Sequence, residues 1–303
     1  MAFTMNQAKD ILHNYYALTS PSEEDDFLFV EALDYLIHET KQSKYMMELG
    51  GWYYANKQFD LAEEYYLQAA QLQDIDAYQC LGYIYYYGRV GKPDYKKAYT
   101  YYKLASDAGD LIASYKMADM YRNGYYVSKN YEKYVSIIKS LYPKIKDANN
   151  VFQPLPEIYS RLARIYKEEN QMDQAIDLLL YAKSFQAQRL MYNGFFGDLS
   201  IMKSIVLDLY QLIAFDRDVV DLFDLYYVLQ APAKVYISIH QKEYEIESKI
   251  ENEMLYISMD HQNYENIDEF FLRAKIGKER LSAQYLNTDY VEIQSWNLEK
   301  QNI

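Results

Sequence analysis

The sequence predicts a mainly α protein, a stack of helical hairpins followed by a small α+β module in β-β-β-α order. Three observations predict it. Glycine and proline are scarce, 10 and 6 in 303 residues, which favours long uninterrupted helices over a turn-rich β fold. A pattern of large and small residues recurs at an offset of thirty-six along residues 77–142, the kind of period that stacked hairpins leave in a sequence. Past Ala231-Pro232 the helical spacing gives way to alternation, the period of a strand.

The repeat is clearest in AYQCLGYIYYYGRVGKPDYKKAYTYYKLASDAG, residues 77–109. Leu81, Gly82 and Tyr85 stand at i, i+1 and i+4, one stripe of a helix. Ala98, Tyr102 and Ala105 stand at i, i+4 and i+7 on the next. Small residues let the two helices approach, and large ones fill the space beside them. At the thirty-six-residue offset Leu81 falls on Met117, Gly82 on Ala118, Tyr85 on Tyr121, Gly88 on Gly124 and Tyr102 on Ile138. An earlier copy reads Leu49, Gly50, Tyr53, then Ala62, Tyr66, Ala69. A later one reads Leu162, Ala163, Tyr166, then Ala175, Leu179, Ala182. Tyrosine, at 37 copies, suits such a stack because its ring buries apolar area while its hydroxyl reaches a polar partner.

The order A-x-x-x-L-G-x-x-Y-x-x-G, then D-x-x-K-A-x-x-Y-Y-x-x-A-x-x-x-G, resembles the Sel-1-like repeat, a subclass of the tetratricopeptide family. Ala77, Leu81, Gly82, Tyr85, Gly88, Asp94, Lys97, Ala98, Tyr101, Tyr102, Ala105 and Gly109 carry it. The next copy departs at Ala118, Tyr134 and Leu141, and the copies at 44–73 and 157–186 resemble ordinary tetratricopeptide units. The resemblance covers residues 44–186, in units of about 44–73, 76–109, 112–142 and 157–186. It implies an α-solenoid with a concave face that serves as a scaffold for protein binding.

Around these units the expected organisation is as follows. Residues 1–43 form capping helices. One helix spans 5–19, and the next opens with Ser20 as N-cap, Pro21 at N1 and Glu23 at N3. The run Glu23, Glu24, Asp25, Asp26 sits at the positive end of that helix dipole, a structural rather than a metal-binding arrangement. Pro143, Pro154 and Pro156 bracket a loop over 143–156. Residues 187–232 hold a further helical pair, near 199–214 and 217–230, with Asp198 as an N-cap. Residues 233–303 form the α+β module, with strands near 234–240, 243–249 and 254–259, a helix in ENIDEFFLRAKIG, and one more possible strand, TDYVEIQSW.

The net charge of −13 opposes general nucleic-acid binding. It is unevenly spread. Residues 1–75 hold 13 acidic and 4 basic side chains, whereas residues 76–150 hold 7 and 12. The basic stretch either offers a surface to an anionic partner or meets the acidic one within the molecule. MAFTMNQAKDILHNYY has no apolar run of signal-peptide type, and no stretch reaches the length of a membrane span. A single cysteine, Cys80, excludes an intrachain disulfide and points to the cytoplasm. The tyrosine, isoleucine, asparagine and lysine bias suggests a bacterial source.

No motif for catalysis, cofactor or metal emerges. His13, His38, His240 and His261 are scattered and none pairs with Cys80 in zinc-ligand spacing. GRVGKPD lacks the spacing of a phosphate loop. The expectation is a non-enzyme without cofactors, an adaptor that binds a protein or extended peptide. In the phase of a tetratricopeptide hairpin Tyr54, Tyr83, Tyr86, Tyr115, Asp119, Arg122, Arg164 and Lys167 line the groove. Rings at one end and cations at the other suit a peptide with an acidic or carboxylate end. The bland reading is that Tyr83 and Tyr86 pack against neighbouring hairpins and the arginines are solvated. The alternative function is a regulatory or immunity-like factor that binds through the C-terminal module. Oligomeric state is left open.

Overall fold

The computed structural model describes residues 3–147, 153–192, 196–251 and 254–297. It divides into two compact units, residues 1–137 and 138–303.

The first unit is built of consecutive helical hairpins: α1 (Met5–Tyr16), α2 (Glu23–Thr40), α3 (Ser43–Ala55), α4 (Phe59–Gln71), α5 (Ile75–Tyr87), α6 (Tyr95–Asp107) and α7 (Leu111–Asn123). The unit boundary falls within α8 (Tyr131–Ile145). Helix α1 stops at Tyr16 rather than at 19. Helix α2 is capped by Ser22, not Ser20. The Ser22 hydroxyl accepts from the Asp25 amide at 3.2 Å and Asp25 accepts from the Ser22 amide at 2.9 Å. That reciprocal box satisfies two otherwise orphaned donors, and it leaves Pro21 outside the helix.

The seams within and between hairpins are made by the residues of the repeat. Leu81, Tyr85, Ala98, Tyr102 and Ala105 are buried in one core with Ala62, Tyr66 and Ala113. A Cβ built on Gly82 would lie 2.4 Å from Cδ1 of Tyr102, and one on Gly50 would lie 2.6 Å from Cε1 of Tyr66. Each glycine is therefore the socket of a tyrosine ring on the partner helix. A second core, from Ala8 to Ala77, joins α1 and α2 to the α3–α4 hairpin around Phe29, Leu33, Leu36 and Leu49.

The second unit continues with α9 (Leu155–Glu168) and α10 (Met172–Tyr192), which pack against each other. Residues 148–152 of the expected loop lie outside the described residues. Pro143 does not begin that loop but sits in the last turn of α8, with Pro154 and Pro156 opening α9. Helix α11 is Phe196–Tyr210. The helix expected over 217–230 shrinks to a 3-10 turn at Leu222–Asp224 and the short α12 (Leu225–Val228). Aspartate chemistry explains this: Asp216 accepts from the Asp218 amide, and Asp221 from those of Phe223 and Asp224. These local bonds offer the backbone an alternative to continuous helix.

The C-terminal strands form a five-stranded sheet in the order β4-β3-β2-β1-β7, every described pair antiparallel. β1 is Ala233–Ile239, β2 Lys242–Glu251, β3 Met254–Met259 and β4 Gln262–Tyr264, followed by α13 (Ile267–Arg273). Two short strands, β5 (Lys275–Ile276) and β6 (Glu279–Arg280), pair separately. The three expected strands and the helix are present, but a fourth short strand, β4, precedes the helix, and TDYVEIQSW is a strand too. β7 (Thr288–Trp296) returns beside β1 and forms an edge. Val235, Ile237, Ile246 and Ile257 turn inward against Met202, Phe223, Tyr226, Phe270 and Phe271.

Candidate functional site

The described residues contain no group of three or more histidine, cysteine, aspartate or glutamate side chains placed to hold a metal ion. No described helix is long and apolar enough to cross a membrane. What the first unit does present is a cluster of rings threaded with cations.

Tyr54 meets Phe59 edge-on at 5.1 Å and Tyr83 at 6.1 Å, and Tyr83 lies 4.4 Å from Tyr87. Tyr86 contacts Tyr87 at 4.9 Å and Tyr125 at 5.9 Å, and Tyr95 stacks on Tyr125 at 4.4 Å. Burial pushes the Tyr54 hydroxyl up to about 12. Two cations that the phase argument missed sit on these faces. The Arg89 guanidinium lies 5.6–6.0 Å from the ring centres of Tyr54, Phe59, Tyr83 and Tyr87. The Lys116 ammonium donates to the Tyr87 hydroxyl at 2.7 Å and lies 4.9 Å from that ring, with Tyr83, Tyr86 and Tyr115 also within cation–π range.

The backbone fixes where Arg89 stands. Gly88 ends α5 in the left-handed conformation at φ 63°, and the Arg89 amide then donates back to the Ile84 carbonyl at 2.9 Å. This closure of the helix favours glycine, and a Cβ at Gly88 would lie 2.6 Å from the Pro93 nitrogen. The residue after that glycine is carried back over the α5 rings. Burial by itself lowers the Arg89 pKa, but the Tyr83 and Tyr54 hydroxyls beside it reverse the sign and raise it. Among the described residues no carboxylate forms an ion pair with Arg89.

The remaining candidates fall into different surroundings. Tyr115 is buried, and Asp119 is near enough to Tyr86 to raise its hydroxyl, after burial itself. The Arg122 guanidinium lies over the Tyr134 ring at 5.4 Å. Arg164 and Lys167 belong to the second unit, Arg164 turning to α11 and Lys167 to the residue that follows it. Arg164 pairs with Asp208 at 2.7 Å and donates to Ser204 at 2.7 Å, while Lys167 donates to Gln211 at 2.9 Å. The sequence signal that would have found Arg89 is the dipeptide Gly88-Arg89 directly behind the aromatic run.

A model of the Sel1 repeat matches residues 44–74, 76–110 and 111–133. A Sel1-like repeat-containing protein of Schizosaccharomyces pombe is 36% identical over 96 residues, which is 31% of this chain and 14% of the yeast protein. The chain thus spans a small part of that relative. Among solved structures, a Sel1 repeat protein from Oxalobacter formigenes is 21% identical, with 67% of this chain and 75% of that one covered and a TM-score of 0.49. A protective antigen of uropathogenic Escherichia coli strains, described as displaying an SLR fold, is 17% identical over 69% of this chain and 48% of that one. Its TM-score is 0.50, a likeness of fold. Repeats of this type are generally protein-interaction scaffolds and typically non-catalytic. Residues 44–133 of this chain match the Sel1 repeat in three consecutive copies.

Proposed function

We propose that the protein is a non-enzymatic scaffold of the cytoplasm whose Sel1-repeat unit binds an extended protein segment with an acidic or carboxylate end. The observation that carries this reading is Arg89, a guanidinium spread over four aromatic rings with no carboxylate ion pair among the described residues. Such a cation keeps its full charge, and the rings around it hold its geometry without neutralising it. Tyr54, Tyr83 and Tyr86 supply flat apolar surface beside it, and Arg122 supplies a second cation. Aromatic side chains with arginine form the usual anchors of protein interfaces. Arg164 and Lys167, tied to Asp208 and Gln211, contribute less than their sequence phase suggested.

A fluorescent peptide array displaying free C-terminal carboxylates, amidated C-termini, and acidic or basic runs tests the reading. Acidic or free-carboxylate peptides bind. Arg89→Glu weakens them more than tenfold, the order expected when a charge-assisted contact becomes a repulsion. Arg164→Glu changes binding little. If bound peptides show no preference for negative charge, or if Arg89→Glu leaves their affinity intact, the reading fails.

A further inference from the structure

The second unit holds a cavity of about 550 Å³ between α10, α11 and the turn that precedes α12. This volume is in the range of pockets that take small organic molecules. Its walls are apolar: Leu180, Leu209, Ile213, Val219 and Val220. Two of these side chains are left in water at the mouth, Val219 at 74% and Leu180 at 47% exposure. The floor is ionic. Lys183 Nζ pairs with Asp221 at 2.9 Å and with Asp224, and the Tyr210 hydroxyl donates to Asp224 at 2.7 Å. Asp216 stands at the rim.

The charges do not cancel. One ammonium faces Asp221 and Asp224, and Asp216 adds a third carboxylate, so the cavity keeps an excess of negative charge. Lys183 is held by both floor aspartates, and it therefore repels a cation less than its bare charge implies. An anion entering the cavity would meet three carboxylates and a lysine already engaged. A neutral apolar ligand would leave the carboxylate excess unanswered. We infer that this cavity binds an alkyl chain ending in a cation, an ammonium or guanidinium on an apolar stem, with the stem against Leu209 and Val220 and the cation toward Asp221 and Asp216. A free amine and the lysine side chain of a partner share this chemistry. The site is separate from the ring cluster of the first unit, and the inference does not depend on the function proposed there.

The test is a titration of the full chain, methyl-labelled for NMR, with n-hexylammonium, hexanoate and 1-hexanol, and with an N-acetylated, C-amidated alanine peptide carrying one lysine. Hexylammonium shifts the methyl signals of Leu209, Ile213 and Val220 saturably, with a Kd of about 1 mM, as its few heavy atoms allow. Hexanoate does not shift them, and hexanol does so at least about fivefold more weakly, a gap within reach of one partly screened charge interaction. Tighter binding of the peptide than of hexylammonium identifies a partner's side chain as the occupant, and the reverse identifies a free amine. Leu180→Lys, which places an ammonium at the exposed mouth, weakens hexylammonium at least fivefold. Asp216→Asn, which keeps an acceptor for the Asp218 amide, weakens it about twofold and removes part of its salt dependence. The inference is overturned if neither hexylammonium nor the peptide shifts the cavity methyls saturably. Equal binding of hexylammonium, hexanoate and hexanol overturns it too, as does wild-type affinity in Leu180→Lys.

Discussion

Gly82→Ala puts the seam between α5 and α6 to a test in which two effects carry opposite signs. Gly82 lies inside α5, where replacing glycine by alanine stabilises an exposed helix by about 1 kcal/mol. Here the added Cβ would lie 2.4, 2.6 and 2.9 Å from Cδ1, Cε1 and Cγ of Tyr102. Carbon atoms in good contact sit about 3.5–4.0 Å apart, so the ring must retreat by about 1 Å. Tyr102 is wholly buried, so its ring can retreat only by pushing on its neighbours. Overpacking of this kind costs about 1–3 kcal/mol, and three ring atoms struck at once place it at the upper end. The net expectation is a loss of about 2 kcal/mol, seen as a fall in melting temperature of about 4–8 °C and as faster hydrogen exchange across α5 and α6. The sequence holds a control. Where the repeat has glycine, the partner position is tyrosine, as in Gly50 with Tyr66 and Gly82 with Tyr102. Where it has alanine, the partner position is aliphatic, as in Ala163 with Leu179. Adding Tyr102→Leu to Gly82→Ala therefore recovers about 1–2 kcal/mol relative to the sum of the single changes. A Gly82→Ala protein that melts higher than the parent, or a double-mutant cycle without coupling, would refute the socket argument.

Burial in the core and in ion pairs leads to three further outcomes. Burial raises the hydroxyls of Tyr54 and Tyr99 from 10.0 to about 12, and it raises that of Tyr102 well above 10.0. The folded pKa values lie above the unfolded one, so this stability is intact below pH 10 and falls as pH rises beyond it, by about 1.4 kcal/mol per pH unit for a fully buried ring such as Tyr102. Absorbance at 295 nm then shows a late tyrosine step coincident with loss of helical circular dichroism; a single smooth titration near pH 10 with helicity intact would contradict it. Burial likewise pushes the Cys80 thiol up to about 12, despite its contact with Tyr66. At pH 8 about one molecule in ten thousand carries the thiolate, so a disulfide reagent labels Cys80 slowly until denaturant is added, and rapid labelling of the native chain would count against this environment. Arg189 is buried between Glu157, at 2.8 Å, and Asp198, at 3.3 Å. Arg189→Ala leaves both carboxylates uncompensated and costs about 3–5 kcal/mol by urea denaturation, and a loss below 1 kcal/mol would show that water replaces the guanidinium freely.

The helices of the hairpins were legible because each rests on local, repeated chemistry. Leu81, Gly82 and Tyr85 specify a packing stripe in five residues, and the glycine–tyrosine sockets show in the spacing of the two helices. The strands were legible for the same reason: Val235, Ile237 and Ile239 alternate without help from distant residues. What escaped the sequence depends on partners far along the chain or on competing local bonds. The helix expected over 217–230 has suitable apolar spacing, but Asp216 and Asp221 draw amides into turns. Arg164 occupies a groove phase in the repeat, and only the approach of α11, forty-four residues later, brings Asp208 to it. Lys183 meets its aspartates across a similar distance.

The abundance of tyrosine in the repeats bears on both architecture and binding, because a ring has an edge, a face and a hydroxyl to use independently. Tyr102 spends its ring filling the socket at Gly82, and its hydroxyl is buried without a hydrogen-bond partner among the described residues. Leucine at the same place would fill less volume and phenylalanine would lose nothing in hydrogen bonding. Tyr83 and Tyr87 are different: their faces lie under Arg89 and Lys116, and the Tyr87 hydroxyl oxygen accepts a hydrogen bond from the lysine. A carboxylate in that role would hold the cations equally well but would cancel them. A ring quadrupole attracts a cation while contributing no net charge. The rings therefore hold Arg89 and Lys116 without cancelling their charge, in a stretch, residues 76–150, that has 12 basic side chains against 7 acidic ones. Under the proposed function, the charge that Arg89 keeps is what an acidic segment would meet.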